Sequence, residues 1–287
     1  MILGANERTW LKKRYAPLTV PAYARTRVSL YRRSDCPCQP RELISTHLNR
    51  LTDEAIVEML KLVAGTTENH LDQTHVHIKL LDGPGGIEVG PAWLTGASLV
   101  PASAIPLSPA PSAAVRWLFT DFSTPAYTVS HVEFWRGTAS GVVSDDYNIP
   151  TNGYLFSEID LSGPETKADG EAWDIEVTLE LYAQSSSLMT TWATKWLANI
   201  TGASDDHFTA DRVSLLPAAS ETEDLTGDWL YATSATVDTV QHELLWLFDA
   251  DDGRFEGSWA RTQVRHGTDV FRDGPCKADG GLSLIHI

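Results

Sequence analysis

Two related stretches decide the fold prediction: Gly65-Thr-Thr-Glu-Asn-His70-Leu and Gly202-Ala-Ser-Asp-Asp-His207-Phe. They align without a gap, and the match continues at the same spacing to Ile78 and Leu215. Each follows a helix-like segment that ends at the glycine, the residue that best tolerates the left-handed conformation found after a helix. Self-similarity at a fixed spacing indicates a repeated folding unit. We therefore expect two tandem modules, each opened by one amphipathic helix.

Both predicted helices carry one apolar stripe. The first follows Thr52, the expected N-cap, and its stripe is Ile56, Met59, Leu60 and Val63. The second stripe repeats every four residues and consists of Leu188, Trp192, Trp196 and Ile200. Because the two stripes align at the spacing of the two glycines, we expect the same helix face to pack in both modules.

Further on, Trp117 aligns with Trp229 and Trp135 with Trp246, at a shorter spacing than that of the two glycines. The shorter spacing predicts a deletion where the first copy carries the stretch 82–112, whose proline, alanine and serine content is typical of a surface loop. In the same alignment His131 matches His242, and we expect both to be structural histidines.

The segment 173–182, WDIEVTLELY, alternates apolar and polar residues and predicts a half-solvated sheet edge or face. Its counterpart in the second copy would lie near 310–321, beyond the chain, so the second module is expected to be truncated. The fold class is therefore mainly β (α+β), with two β-sandwich-like modules over 51–184 and 185–281. Residues 282–287, LSLIHI, resemble a translated sequencing adapter, and we exclude them from the fold.

Charge divides the chain of 287 residues unevenly. Residues 1–50 carry a net charge of +7, against −16 for the whole chain, and are predicted to form a basic N-terminal arm. Such an arm could meet nucleic acid or an anionic surface, but docking on an acidic neighbour, for which the protein's own modules are one candidate, is the preferred interpretation. No apolar run has the length of a membrane span, and three cysteines, Cys36, Cys38 and Cys276, do not imply a disulfide framework.

The sharpest candidate metal ligands are His70, His75 and His77. Residues i and i+2 of a strand project to one face, so two imidazoles could share a metal with a third ligand nearby. The second copy keeps His207 but has Arg212 and Ser214 in place of the pair. Solvated strand histidines are therefore the preferred interpretation, and no cofactor is expected.

Other candidates favour binding over catalysis. No nucleophile elbow, phosphate-binding loop, dinucleotide fingerprint or zinc-protease motif occurs, and we expect no catalytic residues. Asp249-Ala-Asp-Asp-Gly253 is one residue short of a calcium loop and predicts a polar turn. Trp93, in the proline-rich stretch, is the leading candidate for stacking on a sugar ring.

The stretch from His70 to Gly83, HLDQTHVHIKLLDG, resembles a stretch in virion structural and tail-associated proteins of tailed bacteriophages. A weaker instance begins at His207, and a strand like 127–135 followed by a glycine recurs in the same proteins. The resemblance covers about residues 50–250, and departs from the family pattern at His75 and Lys79, where the family has small or uncharged residues.

This resemblance implies a non-enzymatic virion component, tail or fibre associated, whose partners are other virion proteins and further copies of itself. It implies a helix leading into strands, and no catalytic residues. One alternative is a carbohydrate-binding β-sandwich that recognises a host-surface glycan. A less favoured alternative is a glycoside-acting enzyme, which requires two carboxylates across a cleft.

Overall fold

The computed structural model describes residues 20–21, 23–34, 40–90, 94–95, 98–101, 111, 113–137, 153–182, 187–218, 229–240, 242–248, 261–275 and 285–286. Strands account for 51% of the chain and helices for 13%, and the sheets are largely antiparallel, so the mainly β, α+β class is confirmed. No helix in these ranges combines the length and the apolar character needed to cross a membrane.

Within the described ranges, the first half of the fold, residues 20–182, contains ten strands and one helix. They are β1 (Val20–Pro21), β2 (Tyr23–Arg32), β3 (Glu42–Asn49), α1 (Asp53–Ala64), β4 (Val76–Leu81), β5 (Leu94–Thr95), β6 (Ser98–Pro101), β7 (Ala113–Asp121), β8 (Tyr127–Arg136), β9 (Tyr154–Lys167) and β10 (Trp173–Tyr182). The order β3-β2-β10-β7-β6 forms a five-stranded sheet, and β5-β4-β8-β9 forms a four-stranded sheet.

The second half, residues 187–286, contains one helix and seven strands among the residues that the structure describes. They are α2 (Ser187–Thr201), β11 (Val213–Ala218), β12 (Leu230–Tyr231), β13 (Ser234–Asp238), β14 (Glu243–Leu247), β15 (Arg261–His266), β16 (Asp269–Pro275) and β17 (Ile285–His286). One sheet has the order β12-β11-β15-β16, and another has the order β1-β17-β14-β13. Buried residues of both halves, including Trp117 and Trp196, belong to one continuous hydrophobic core.

Helix α1 has the predicted boundaries. The Thr52 side chain accepts a hydrogen bond from the Ala55 amide, and Gly65 follows the last turn with φ of 69°. Asp53 and Glu54 lie in the first turn, where carboxylates interact favourably with the helix dipole. In α2 the described part of the predicted stripe, Trp192, Trp196 and Ile200, is likewise buried.

Strand β10 has the predicted extent but a different position. It is the central strand of its sheet, pairing with β2 on one side and β7 on the other. All ten of its residues are buried, so the expected solvated face is wrong. Arginines of the neighbouring elements cover its carboxylates, which is why the alternating pattern did not reveal burial on both faces.

Three further sequence predictions differ from the structure. The stretch 82–112 contains strands β5 and β6, so it is not one continuous loop. From Tyr23 onward, the predicted basic arm forms β2 and β3 of the five-stranded sheet, and residue 50 is not a break in the fold. Residues 285–286, which we excluded from the fold, form β17 and pair with β1 and β14. Residues 1–19 lie outside the described ranges.

The two halves share a strand order and several backbone contacts. Strands β4 and β11 begin at positions that align at the spacing of the two glycines, and each has a short strand on one side and a hairpin on the other. The hairpins have a register shift at matching places, between Phe134 and Trp135 and between Val264 and Arg265. The tandem duplication that would explain this likeness stays a prediction, as does the truncation of the second module.

Neither tryptophan pairing of the sequence alignment, Trp117 with Trp229 or Trp135 with Trp246, agrees with the contacts in the structure. Trp117 and Trp246 occupy matching places, because each donates from its indole N–H to a backbone oxygen 3.0 Å away, on Leu71 and Phe208 respectively. Leu71 and Phe208 themselves align at the spacing of the two glycines. Trp229 is instead only half-buried and lies under the Arg265 guanidinium.

Candidate functional site

The C-terminal end of each helix contacts the segment that follows the other helix. We call this site the helix-end junction and define it by Gly65, His70, Gly202 and His207. The His207 Nδ1 donates to the Leu62 carbonyl oxygen of α1 at 2.9 Å. The His70 Nδ1 donates to the Asn199 carbonyl oxygen of α2, also at 2.9 Å. Each histidine therefore caps the helix of the other half.

Backbone hydrogen bonds repeat this exchange. The Phe208 amide donates to the Val63 carbonyl oxygen, and the Leu71 amide donates to that of Ile200, both at 2.8 Å. The last carbonyl groups of a helix have no partner within it and need one from elsewhere. Here each helix obtains these partners from the segment that follows the other helix.

Both glycines of the junction are required by geometry. Their φ angles are 69° and 72°, values that side chains disfavour. A Cβ atom on Gly65 would lie 2.9 Å from His207 Cγ, and one on Gly202 would lie 3.0 Å from His70 Cγ. Both glycines were expected from the sequence as helix ends, but the histidine that packs on each was not.

The three predicted metal ligands take part in different contacts. His70 is the helix cap described above, and His75 Nδ1 lies 2.6 Å from Asp72 Oδ2. His77 is buried on β4, opposite Trp135 in the register. Within the described ranges, no three His, Cys, Asp or Glu side chains are placed to hold a metal ion.

Several other sequence candidates cannot be placed or do not match each other. Trp93, Asp249–Gly253 and the three cysteines lie outside the described residues. His131 is buried on β8 with its Nδ1 2.8 Å from Asp160 Oδ1. His242 has φ of 53° in the β13–β14 turn, so the two histidines are not equivalent.

A network of arginines and carboxylates covers one face of the five-stranded sheet. Glu180, whose side chain is fully buried, accepts from Arg25 at 2.7 Å and from Arg27 at 2.5 Å. It also accepts from the Tyr182 hydroxyl at 2.5 Å. Burial alone would raise the pKa of Glu180, but these hydrogen bonds outweigh it and hold the pKa below its usual range.

The network continues along the same strand. The Glu176 carboxylate accepts from Arg41 at 2.6 Å and pairs with Arg116 at 3.0 Å. Asp174 accepts from the Thr120 hydroxyl at 2.8 Å. Four arginines of the N-terminal segment, Arg25, Arg27, Arg33 and Arg41, therefore pair with carboxylates of β10. The acidic neighbour expected for this segment is, for these residues, the protein's own sheet.

The second half contains a buried histidine beside several charges. The His266 ring stacks on Phe208 at 4.1 Å between centroids, and its Nε2 donates to the His207 carbonyl oxygen at 2.9 Å. Its Nδ1 faces the Lys195 ammonium at 3.3 Å. Burial lowers the pKa of His266, and nearby Asp206 only partly offsets this effect.

A third cluster lies where β7 turns into β8. Asp121 Oδ2 accepts from the Tyr127 hydroxyl at 2.5 Å, and Asp121 Oδ1 accepts from the Ser123 amide at 2.7 Å. The Lys167 ammonium lies 3.8 Å from Asp121 Oδ2. Burial, aided by the hydrogen bond to Asp121, raises the pKa of Tyr127 well above its ordinary value. The sequence analysis did not single out this cluster.

Comparisons with known proteins identify no relative: no family model, no curated protein and no solved structure matches the chain.

Proposed function

We propose that the protein is a non-enzymatic structural component of a tailed-phage virion, tail or fibre associated, which acts through assembly. The observation that carries this proposal is the role of the stretch that resembles virion proteins. His70 caps the opposite helix, and the Leu71 amide bonds to the same helix end. The Asp72 carboxylate fixes the next turn by accepting from the Thr74 amide at 2.8 Å. The described contacts of this stretch therefore build the fold.

The charge pattern supports the same proposal. In the five-stranded sheet, buried carboxylates are matched by arginines from neighbouring elements, which ties β2, β7 and β10 together. A component that is held in many copies needs a body that does not deform, and such proteins commonly form closed symmetric oligomers. We accordingly propose a homo-oligomer in contact with other virion proteins.

Localisation in phage particles tests the proposal. Particles grown from the phage DNA that encodes the chain would be purified and labelled with gold-conjugated antibody against the chain. We expect label on the tail or its fibres, and peptides of the chain in the mass spectrum of the purified particles. Recovery of the chain only from the particle-free fraction of the lysate would contradict the proposal.

The carbohydrate-binding alternative is tested by a separate measurement of glycan binding. Phe122 and Tyr231 are 68% and 55% exposed, and exposed aromatic rings can stack on sugars. Binding of the purified chain to a glycan array, weakened by Phe122→Ala or Tyr231→Ala, would favour this alternative. Arrays without signal, together with labelled tails, would favour a structural role alone.

A further inference from the structure

Lys167 and Asp121 form a buried pair with an unusual degree of enclosure. The Lys167 side chain is 0% exposed, and that of Asp121 is 1% exposed. Lys167 is the last residue of β9 and Asp121 is the last residue of β7, so the pair joins the two sheets of the first half. The Lys167 ammonium also donates to the Ser123 carbonyl oxygen, which holds it beside the carboxylate.

The surroundings of the carboxylate would favour attack by an amine. Ser123 N–H and Tyr127 O–H donate to its two oxygens, at 2.7 and 2.5 Å. Donors aimed at a carboxyl group stabilise the negative charge that develops when a nucleophile adds to it. The Tyr127 ring lies 5.5 Å from Lys167 Nζ and packs edge-on against the buried Trp173. These groups exclude water, which would otherwise solvate both charges.

The amine and the carboxyl group must also lie close together for a bond to form between them. The Lys167 Nζ lies 3.8 Å from Asp121 Oδ2, an oxygen bonded to the Cγ atom that the amine would attack. Holding the two groups together in a fixed geometry lowers the entropic part of the reaction barrier. Burial of two charges is costly, and transfer of one proton from the ammonium to the carboxylate makes both groups neutral. The neutral amine is a nucleophile, and the neutral carboxylic acid is an acceptor.

We propose that Lys167 and Asp121 join in an intramolecular amide crosslink. After the proton transfer, the Nζ lone pair attacks Asp121 Cγ and the C–N bond forms. Tyr127 transfers its hydroxyl proton to Asp121 Oδ2, and the Tyr127 oxygen accepts a proton from Lys167 Nζ. The Cγ–Oδ2 bond then breaks, and the oxygen leaves as water. The net change is the loss of one water molecule, and the reaction needs no oxidant, metal or cofactor.

Such a crosslink would connect the five-stranded sheet covalently to the four-stranded sheet of the first half. It would close the chain between positions 121 and 167 into a loop that includes β8 and β9. Closing a loop lowers the conformational entropy of the unfolded chain and stabilises the folded state, as a disulfide does. The inference rests on this geometry alone and is independent of the proposed virion role.

Peptide mapping of the full-length purified chain decides the question. The expected result is an intact mass below the sequence mass by one water molecule, with a branched peptide that joins Asp121 to Lys167. Intact mass alone is insufficient, because the Asp82-Gly83 sequence can also lose water by closing on its own backbone. The branched peptide is therefore the deciding signal.

Three variants sharpen the test. Lys167→Arg keeps a cation but should show no branched peptide, and Tyr127→Phe should slow its formation in freshly made protein. Asp121→Asn should still form the amide, with loss of ammonia in place of water. Recovery of unlinked Asp121 and Lys167 peptides in full yield from folded wild-type protein would overturn the proposal. The peptide map of the wild-type protein decides the question even if a variant fails to fold.

Discussion

Gly65 shows how much of this fold depends on single residues. Its φ of 69° ends helix α1, and its missing side chain leaves room for the His207 ring. Gly170 also has a positive φ, 72°, but a Cβ there would meet no atom within 4 Å. The two positions therefore separate the cost of the backbone conformation from the cost of displacing a neighbour.

Gly65→Ala should destabilise the protein more than Gly170→Ala. The backbone conformation costs both variants about 1–2 kcal/mol. Crowding of His207 should add about 1–3 kcal/mol to the Gly65 variant alone. Urea unfolding followed by tryptophan fluorescence measures both values, and equal losses in the two variants would contradict the packing described for the junction.

His266 should make the protein sensitive to mild acid. Burial lowers its pKa below the ordinary value of 6.5, so the unfolded chain takes up the proton first as the pH falls. Its contribution to stability is complete above about pH 6.5 and is lost as the pH falls towards the folded-state pKa. The charges that face it are Lys195 on α2, Asp206 and Arg212 on the following segment, and, through Lys195, Asp269 on β16.

The matched variant for this effect is His266→Gln, which keeps a donor for the His207 carbonyl oxygen. Between about pH 7.5 and about pH 5.5, the unfolding free energy of the wild type should fall more steeply than that of the variant. His47, whose pKa burial also lowers, is present in both proteins and cancels in the comparison. Parallel pH profiles would contradict the assignment.

Residue-level prediction from the sequence succeeded where the signal was local. Thr52 and Gly65 were identified because caps depend on their immediate neighbours. His70 was instead considered as a metal ligand, because its actual partner, the Asn199 carbonyl oxygen, lies 129 residues away in the chain. No periodicity within either segment indicates such a contact.

At the scale of elements, β10 is the strand on which the first half depends. Its boundaries were predicted to the residue by alternation, yet its central position was not. The missing signal was in β2, where Arg25 lies opposite Glu180 and Arg27, opposite Thr178, reaches the same carboxylate. Recognising that pairing required knowing that a segment near the N-terminus lies beside residues 173–182.

Removing the Glu180 charge tests the network on this strand. Glu180→Gln should cost about 3 kcal/mol, because it leaves the partly buried guanidinium groups of Arg25 and Arg27 without their carboxylate. Glu42→Gln is the matched control, since Glu42 is 67% exposed and pairs with Arg32 at the edge of the same sheet. The control should cost less than about 1 kcal/mol. Chemical unfolding of both variants measures the difference, and a near-neutral Glu180 variant would show that the network contributes little.

At the scale of the whole molecule, the two successive modules expected from the sequence stay a prediction, and the exchange of helix caps between the two halves is a feature that the sequence did not indicate. The spacing of the two glycines was informative because it holds throughout one continuous helix-to-strand segment. The later tryptophan alignment failed because loops of unequal length separate the strands, and short aromatic motifs fit several spacings. The similar indole hydrogen bonds of Trp117 and Trp246 instead suggest that these two positions correspond.

The exchange of caps predicts that the halves unfold together. Two amides cross the junction, Leu71 to the Ile200 carbonyl oxygen and Phe208 to that of Val63. Native-state hydrogen exchange at these two amides is the most direct measurement, with the Val177 amide in β10 as the internal reference. We expect Leu71 and Phe208 to exchange through the same global opening as Val177. Exchange at either junction amide through a much less costly opening, while Val177 stays protected, would contradict it.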